Sequence, residues 1–291
     1  MSERETTSAK VIADSISFND FRLTTMEVTF HRYVLAEFNT HRVFSRSSAS
    51  SRAIPTRKQL ETVSTNPAMP YEWGANQPGM QAAEPLEGED ADRAAYSWVK
   101  ANHTCVDTAR FLAEELGVHK QVTNRVLEPW MWHTVIVTAT DYSNFFSQRC
   151  SPLAQPEIRI AAEMMRDAYE ASEPTQVAEG FWHTPYIQED EMDLSPETRK
   201  KISAARCARV SYLTHDGERN IDKDLELYER LVTAQPPHSS PLEHVATPSD
   251  RNIAFIQNHK EGTVREVPIL GNLTGWKQLR HEVAGEDFFI W

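Results

Sequence analysis

The chain has 291 residues, 40% of them hydrophobic, and a formal net charge of −12. That length supports a sizeable core in one large domain or two closely packed halves, and the acidic balance argues against general affinity for a nucleic-acid polymer, which rests on neutralised phosphates. No apolar run approaches membrane-spanning length and the start, Met1 to Glu5, lacks the basic and apolar regions of a signal peptide, so a cytoplasmic protein, of the cell or of an infected host, is expected.

In chain order, Met26, Val28 and Phe30 alternate apolar with polar, which predicts a strand leading into residues 40 to 52. Residues 62 to 93 carry several Pro and Gly and an acidic run, Glu84 to Asp92, and read as a surface excursion that serves binding or a lid. Trp98, Ala101, Cys105, Ala109, Leu112 and Leu116 fall at helical spacing with Gly117 placed as a C-terminal cap, predicting a core helix. Thr134 to Ala139 is a β-branched run suited to a buried strand. Pro156 suits a first helical turn, after which Ile158, Ala162, Met165 and Tyr169 make one apolar face, read as packing. Leu225, Tyr228, Leu231 and Val232 predict another amphipathic helix. The turn-rich Gly271 to Trp276 is expected to cap the active site or an interface, within a tail, 248 to 291, that has no evident counterpart. Cys105, Cys150 and Cys207 lack metal-ligand spacing and leave an odd thiol, so reduced core thiols and no metal site are expected, with a catalytic Cys as the competing reading.

The stretch Thr40 to Arg52 gathers His41, Arg42, Arg46 and Arg52 with five serines and no acid. Guanidinium forks pair bidentately with phosphate or carboxylate, and hydroxyls and loop amides complete the shell around an anion. From residue 31 to 58 six cations face one acid, Glu37, so the segment is +5 and the remainder of the chain −17. A basic pocket in an acidic body suits a small, multiply charged anion. The competing reading is a Ser-rich surface linker.

His41-Arg42, then seven residues, then Ser50 and Arg52, resembles the signature of the flavin-dependent thymidylate synthases, with Thr40 where that family has its first Arg. Further blocks carry the resemblance: Asn124 to Pro129 is similar to the family's Arg-x-x-Leu-Pro element, and Asn144, Arg149, Ala154-Gln155 and Glu157-Ile158 stand at similar spacings to its Asn, Arg and Ala-Gln-x-Glu-Ile. Ala208 to Tyr212 and His238 to His244 resemble two elements that in the family precede the His-Arg block; here they follow it, which implies a circularly permuted order. Permutation is tolerated where chain ends lie at exposed connections. The implied fold is α/β (α+β), a mixed sheet with packed helices in one domain over 1–291.

The resemblance implies FAD as cofactor, NADPH and methylenetetrahydrofolate as co-substrates, and a homotetramer with shared sites. It assigns the flavin to His41, Arg42, Asn144 and His244, and deoxyuridine monophosphate (dUMP) to Ser50, Arg52 and Arg125. Arg149 is the expected catalytic residue, drawing off charge as N3 of the uracil ionises; independently of the family, a guanidinium never deprotonates and lowers the cost of an anionic pyrimidine. The alternative for Arg149 is a surface pair with Asp141 or Glu157. Glu37 occupies a position where the family usually has Gln near the nucleotide. A carboxylate only accepts, so Glu37 favours an amino-bearing cytosine or a hydroxymethyl product; its alternative is an ion pair with Arg32 or Arg42. The functions expected are therefore C5 methylation of dUMP to dTMP, a related methylase or hydroxymethylase on dCMP or dUMP, and, from another class, a nucleotide-binding protein without flavin.

Overall fold

The computed structural model describes residues 6–210, 219–249, 253–258, 263–268 and 271–283, with backbone alone at 253–258 and 263–268. Strands β1 (Ser8–Ser17) and β2 (Arg22–His31) are followed by α1 (Leu35–Asn39), β3 (Ser45–Ser48), α2 (Thr56–Thr65), α3 (Gly88–Glu114) and α4 (Lys120–Thr123). Then come β4 (Trp132–Ala139), α5 (Ser143–Arg149), α6 (Pro156–Ala171), β5 (Thr175–Val177), α7 (Pro196–Arg209) and α8 (Ile221–Thr233). The last elements are β6 (Ala246–Pro248), β7 (Ile253–Asn258), β8 (Thr263–Pro268) and β9 (Trp276–Gln278). Five strands form one mixed sheet in the order β3-β4-β2-β1-β5, antiparallel except where β1 meets β5. β6 pairs with β9, and β7 with β8.

The expected strand at Met26, Val28 and Phe30 is β2, yet it is buried on both faces rather than one. One face carries Met26, Val28, Phe30, Val135 and Val137 against Ile158, Ala162 and Met165 of α6, with Phe38, Phe44, Tyr142 and Phe145 closing the core. On the other face Ile136 meets Cys207 of α7 and Val210 just beyond it, and Leu23 meets Ala246, Leu273 and Trp276. The alternating polar positions of β2 survive burial by pairing across the sheet. Thr25 Oγ1 lies 2.6 Å from Thr138 Oγ1, and Thr29 Oγ1 lies 2.9 Å from Thr134 Oγ1, as buried hydroxyls require.

Pro156 opens α6, and Ile158, Ala162 and Met165 are buried along its face. Tyr228 of α8 is buried against Ala204, Ala205 and Leu242, and Leu231 of the same helix is buried. Gly117 sits at φ +65, in the left-handed region that favours glycine, just beyond α3. The predicted core helix is α3, and it is core on one side only: Val106 and Ala109, with Trp98 and Cys105, pack against Leu60, Leu127 and Trp130, while Tyr96 and Phe111 are exposed. The stretch 62–93 is helical at both ends, in α2 and α3, and only 66–87 is an excursion. It is pinned inward: Met69 O accepts from His31 Nε2 at 2.7 Å and Tyr71 N donates to Glu157 at 3.0 Å. Ser211 and Tyr212, from the block beginning at Ala208, lie outside the described residues.

Candidate active site

β2 delivers the chain over the aromatic core into α1 and the loop that leads to β3, and β3 pairs with β4 from Ser45↔Thr138 to Ser48↔Val135. His41 is seated on this core, with Phe44 stacked at 6.0 Å and Phe145 edge-on at 4.9 Å between centroids. α5 lies alongside and brings Arg149 to the same point. Arg149 Nε donates to His41 Nε2 at 3.0 Å, and its Nη2 donates to Thr40 Oγ1 at 3.1 Å and to Glu37 O at 3.3 Å. An Arg nitrogen only donates, so His41 Nε2 is the acceptor and the imidazole proton sits on Nδ1. Burial first, then the Arg149 charge, pulls His41 below its ordinary value, against the hydrogen bond to Asn144. The imidazole is neutral near pH 7.

Two segments distant in sequence, one carrying Glu37 and His41 and the other Asn144 and Arg149, thus meet at one place, with exposed Arg42 next to His41 in the chain. The alternative placement of Arg149 is overturned: Asp141 accepts from Ser143 N, and Glu157 from Tyr71 N. Arg32 is likewise committed to Glu128 rather than Glu37. Glu37 Oε2 is buried without a hydrogen-bond partner.

Beyond β3, Asn124 Nδ2 holds the 51–54 turn through Ser51 O and Ile54 O, and Arg52 on that turn is exposed. Glu128, which the sequence reading passed over, is the hub there. Its Oε1 accepts from Arg32 Nη2 at 3.1 Å, Ser51 Oγ at 3.0 Å and Arg125 Nη1 at 2.6 Å. Its place inside the block similar to Arg-x-x-Leu-Pro, flanked by cations in the fold, was the available signal. Arg32 Nη1 also donates to His133 Nδ1 at 2.9 Å, and burial with the Arg32 charge pushes His133 down to about 3.

His244 is placed differently from the expectation that it touches flavin. It is 0% exposed, its Nδ1 lies 2.8 Å from Thr138 Oγ1 and its Nε2 has no partner. Thr138 continues to Thr25, Thr25 to His183 Nε2 at 2.7 Å, and His183 Nδ1 to Ser15 Oγ at 2.8 Å. Burial pushes both His183 and His244 down to about 3. In this structure His244 supports the sheet beneath the loop instead of lining the cleft.

The turn-rich tail segment docks on the loop. Asn272 Nδ2 donates to Val43 O at 2.7 Å and Ser45 Oγ at 3.0 Å, while Gln278 Nε2 donates to Ser45 Oγ at 2.9 Å and Glu243 O at 3.1 Å. Cys105, Cys150 and Cys207 are free thiols, all pushed up by burial, which makes each a poor nucleophile. Among the described residues no helix is long and apolar enough to cross a membrane.

The chain matches the family described as thymidylate synthase complementing protein over residues 18–175, a little over half its length. The Ala208 and His238 blocks lie beyond that match. No curated protein sequence matches the chain. Among solved structures, the UMP/dUMP methylase PolB from Streptomyces cacaoi bound with 5-Br UMP is similar at 14% identity, over 57% of this chain and 89% of that one, with a TM-score of 0.45. The flavin dependent thymidylate synthase ThyX from Helicobacter pylori complexed with FAD and dUMP is similar at 18% identity, over 50% of this chain and 67% of that one, with a TM-score of 0.35.

Proposed function

The chain belongs to the thymidylate synthase complementing protein family, and from that premise we propose that it transfers a one-carbon unit from methylenetetrahydrofolate to C5 of dUMP, using FAD and NADPH. One observation carries this reading. Arg149 is held by neutral acceptors alone, with no carboxylate within ion-pair distance among the described residues. A fixed guanidinium whose charge is left uncompensated, in a half-buried site, stabilises an anion that develops during reaction. The pyrimidine anion at N3 and O2 is that species. Neutral His41 positions the Arg149 fork, and Asn144 fixes the His41 tautomer.

The donor set fits a flavin dinucleotide. Arg42 is exposed and has no ion-pair partner among the described residues, as a pyrophosphate contact requires, and the Asn144 amide beside His41 offers both donor and acceptor to a ring edge. His41, Arg42 and Asn144 would hold the cofactor, with His244 bracing the sheet beneath the loop. When bound, FAD supplies the hydride. Ser50, Arg52 and Arg125 would take the nucleotide phosphate; Arg125 exchanges its Glu128 contact for it. We read the assembly as a homotetramer with shared sites, and the order of the blocks as permuted.

A second reading keeps the chemistry and changes the base. The orphaned Glu37 Oε2 is an acceptor awaiting a donor, which the exocyclic amine of dCMP supplies and a uracil carbonyl does not. The experiment is direct. Purified protein is checked for flavin released on denaturation, then incubated with reductant, labelled methylenetetrahydrofolate and either dUMP or dCMP, and products are identified by mass. Labelled dTMP is expected. Methylated or hydroxymethylated dCMP moves the assignment to the second reading, and a colourless protein that takes up no flavin and yields no product overturns both in favour of a nucleotide-binding protein.

A further inference from the structure

We infer that Asn272, which lies outside the segment that matches the family, is a positioning residue for Arg42. Through the carbonyl of Val43 it fixes the turn that presents the Arg42 guanidinium to the pyrophosphate of a dinucleotide. The inference rests on the proposed function in taking FAD as that dinucleotide.

The turn has little support from its own sequence. Arg42 and Val43 stand at its centre, and it is closed by Phe44 N donating to His41 O at 3.4 Å, long for a backbone bond. None of Gly, Pro, Asn, Asp or Ser, the residues that favour turns, occurs in 41–44, and Val43 is β-branched. Both ends are anchored, His41 by Arg149 and the ring of Phe145, and Phe44 in the aromatic core. The centre is exposed. Among the described residues, the hydrogen bond that reaches it from outside the turn is from Asn272 Nδ2 to Val43 O, at 2.7 Å. The Arg42 side chain has no partner of its own among the described residues, so it inherits its direction from this backbone, and a bidentate phosphate contact needs a guanidinium placed to within about 0.5 Å.

Asn272 can hold the turn because the sheet holds Asn272. Leu273 and Trp276 are buried against Leu23 and Ala246, Trp276 Nε1 donates to Phe21 O at 3.0 Å, and Thr274 N donates to Thr140 Oγ1 at 3.2 Å. Gly275 lies at φ +75, and a Cβ there would stand 2.3 Å from Phe21 Cδ2, so only glycine lets the segment approach this closely. The orientation of the Asn272 amide follows from its neighbours. Nδ2 donates to Val43 O and to Ser45 Oγ, and Oδ1 accepts from Gln278 Nε2 at 3.2 Å. The flipped amide would set oxygen against the Val43 carbonyl and a donor against the Gln278 donor. Gln278 is 1% exposed and also donates to Glu243 O at 3.1 Å, which braces Asn272 from behind.

The test is a double-mutant cycle on the full chain. Wild type, Asn272→Leu, Arg42→Ala and the double variant are titrated with FAD, read by flavin fluorescence, and with ADP, which carries a pyrophosphate without the flavin ring, read by calorimetry. Asn272→Leu should weaken both ligands about three- to tenfold, the net size of one hydrogen bond. In the Arg42→Ala background the same substitution should change affinity by less than about twofold, because a residue that acts through Arg42 has nothing left to position. A tail that only stabilises the fold would give the same factor in both backgrounds, and that result overturns the inference, as does unchanged affinity in a variant that folds. If Asn272→Leu does not fold, Asn272→Ala, at a partly exposed position that water can fill, goes through the same cycle. Coupled ADP binding without FAD uptake keeps the role of Asn272 and sinks the flavin reading. Formation of dTMP by a flavin-loaded protein whose two substitutions act independently sinks the role of Asn272 and leaves the proposed function standing. Failure of wild type to bind either ligand overturns both.

Discussion

Arg149 and Arg206 are the same side chain in opposite circumstances. Arg206 is buried and saturated: it donates to both oxygens of Glu191 at 2.6 and 2.7 Å and to Asp224 at 2.9 Å, and its hydrogen bonds hold Glu191 below the usual carboxylate range. Arg209 adds a second cation on Asp224 at 2.6 Å. Arg149 has the same five donors and meets only an imidazole, a hydroxyl and a backbone carbonyl. A buried cation that has collected its counter-charges is architecture, whereas one supplied with neutral acceptors keeps its field for something that arrives later.

The largest effect that sharpens this contrast is acid lability of the saturated interior. His133, His183 and His244 are neutral in the fold, each pushed down to about 3, while the unfolded chain begins to protonate them below about 6.5. Stability is therefore complete above pH 6.5 and is lost as pH falls towards 3, at up to about 1.4 kcal/mol per pH unit for each histidine and on the order of 4 kcal/mol per unit together. Urea midpoints at pH 7.5 and 5.5 measure it, and equal midpoints would contradict the burial of these rings.

Next in size is Arg206→Ala, expected to cost about 3–5 kcal/mol because two buried carboxylates lose their partner. Nucleotide binding by the protein that still folds should not change. Arg149→Ala should do the opposite, lowering turnover about 10²- to 10³-fold with little change in denaturation midpoint, and Arg149→Lys should recover little because the fork is gone. If both variants lose stability and neither loses kcat selectively, the contrast between the two arginines fails. The smallest expected effect is that of Glu37→Gln. Exchange of one acceptor for an amide should move the ratio of kcat/KM for dUMP over dCMP towards dUMP by about 1 kcal/mol, or five- to tenfold. An unmoved ratio in a wild type that uses only dUMP would return Glu37 to a purely local role.

Much of this was legible because short-range chemistry survives folding. The strands at 26–30 and 134–139, the start of α6 at Pro156 and the cap at Gly117 follow from periodicity and backbone preference. The meeting of His41, Asn144 and Arg149 came from motif spacing rather than from any local rule. The misses are tertiary. Nothing in the spacing of Trp98 to Leu116 reveals that α3 is core on one side only, with Phe111 exposed. The burial of His244 depends on Thr138, a position 106 residues away. Glu128 was overlooked because its three donors, Arg32, Ser51 and Arg125, converge only once the 51–54 turn is fastened to Asn124.

The clamp that Asn272 and Gln278 place on Val43 and Ser45 spans 227 to 233 positions of sequence. Closing so long a span comes after local structure has formed. At ordinary synthesis rates, roughly 5–20 residues per second, about 7–28 seconds separate the emergence of β4 from that of Gln278. A nascent chain therefore owns its central strands well before its His41–Arg42 loop is fixed, and a half-made copy has no finished cleft.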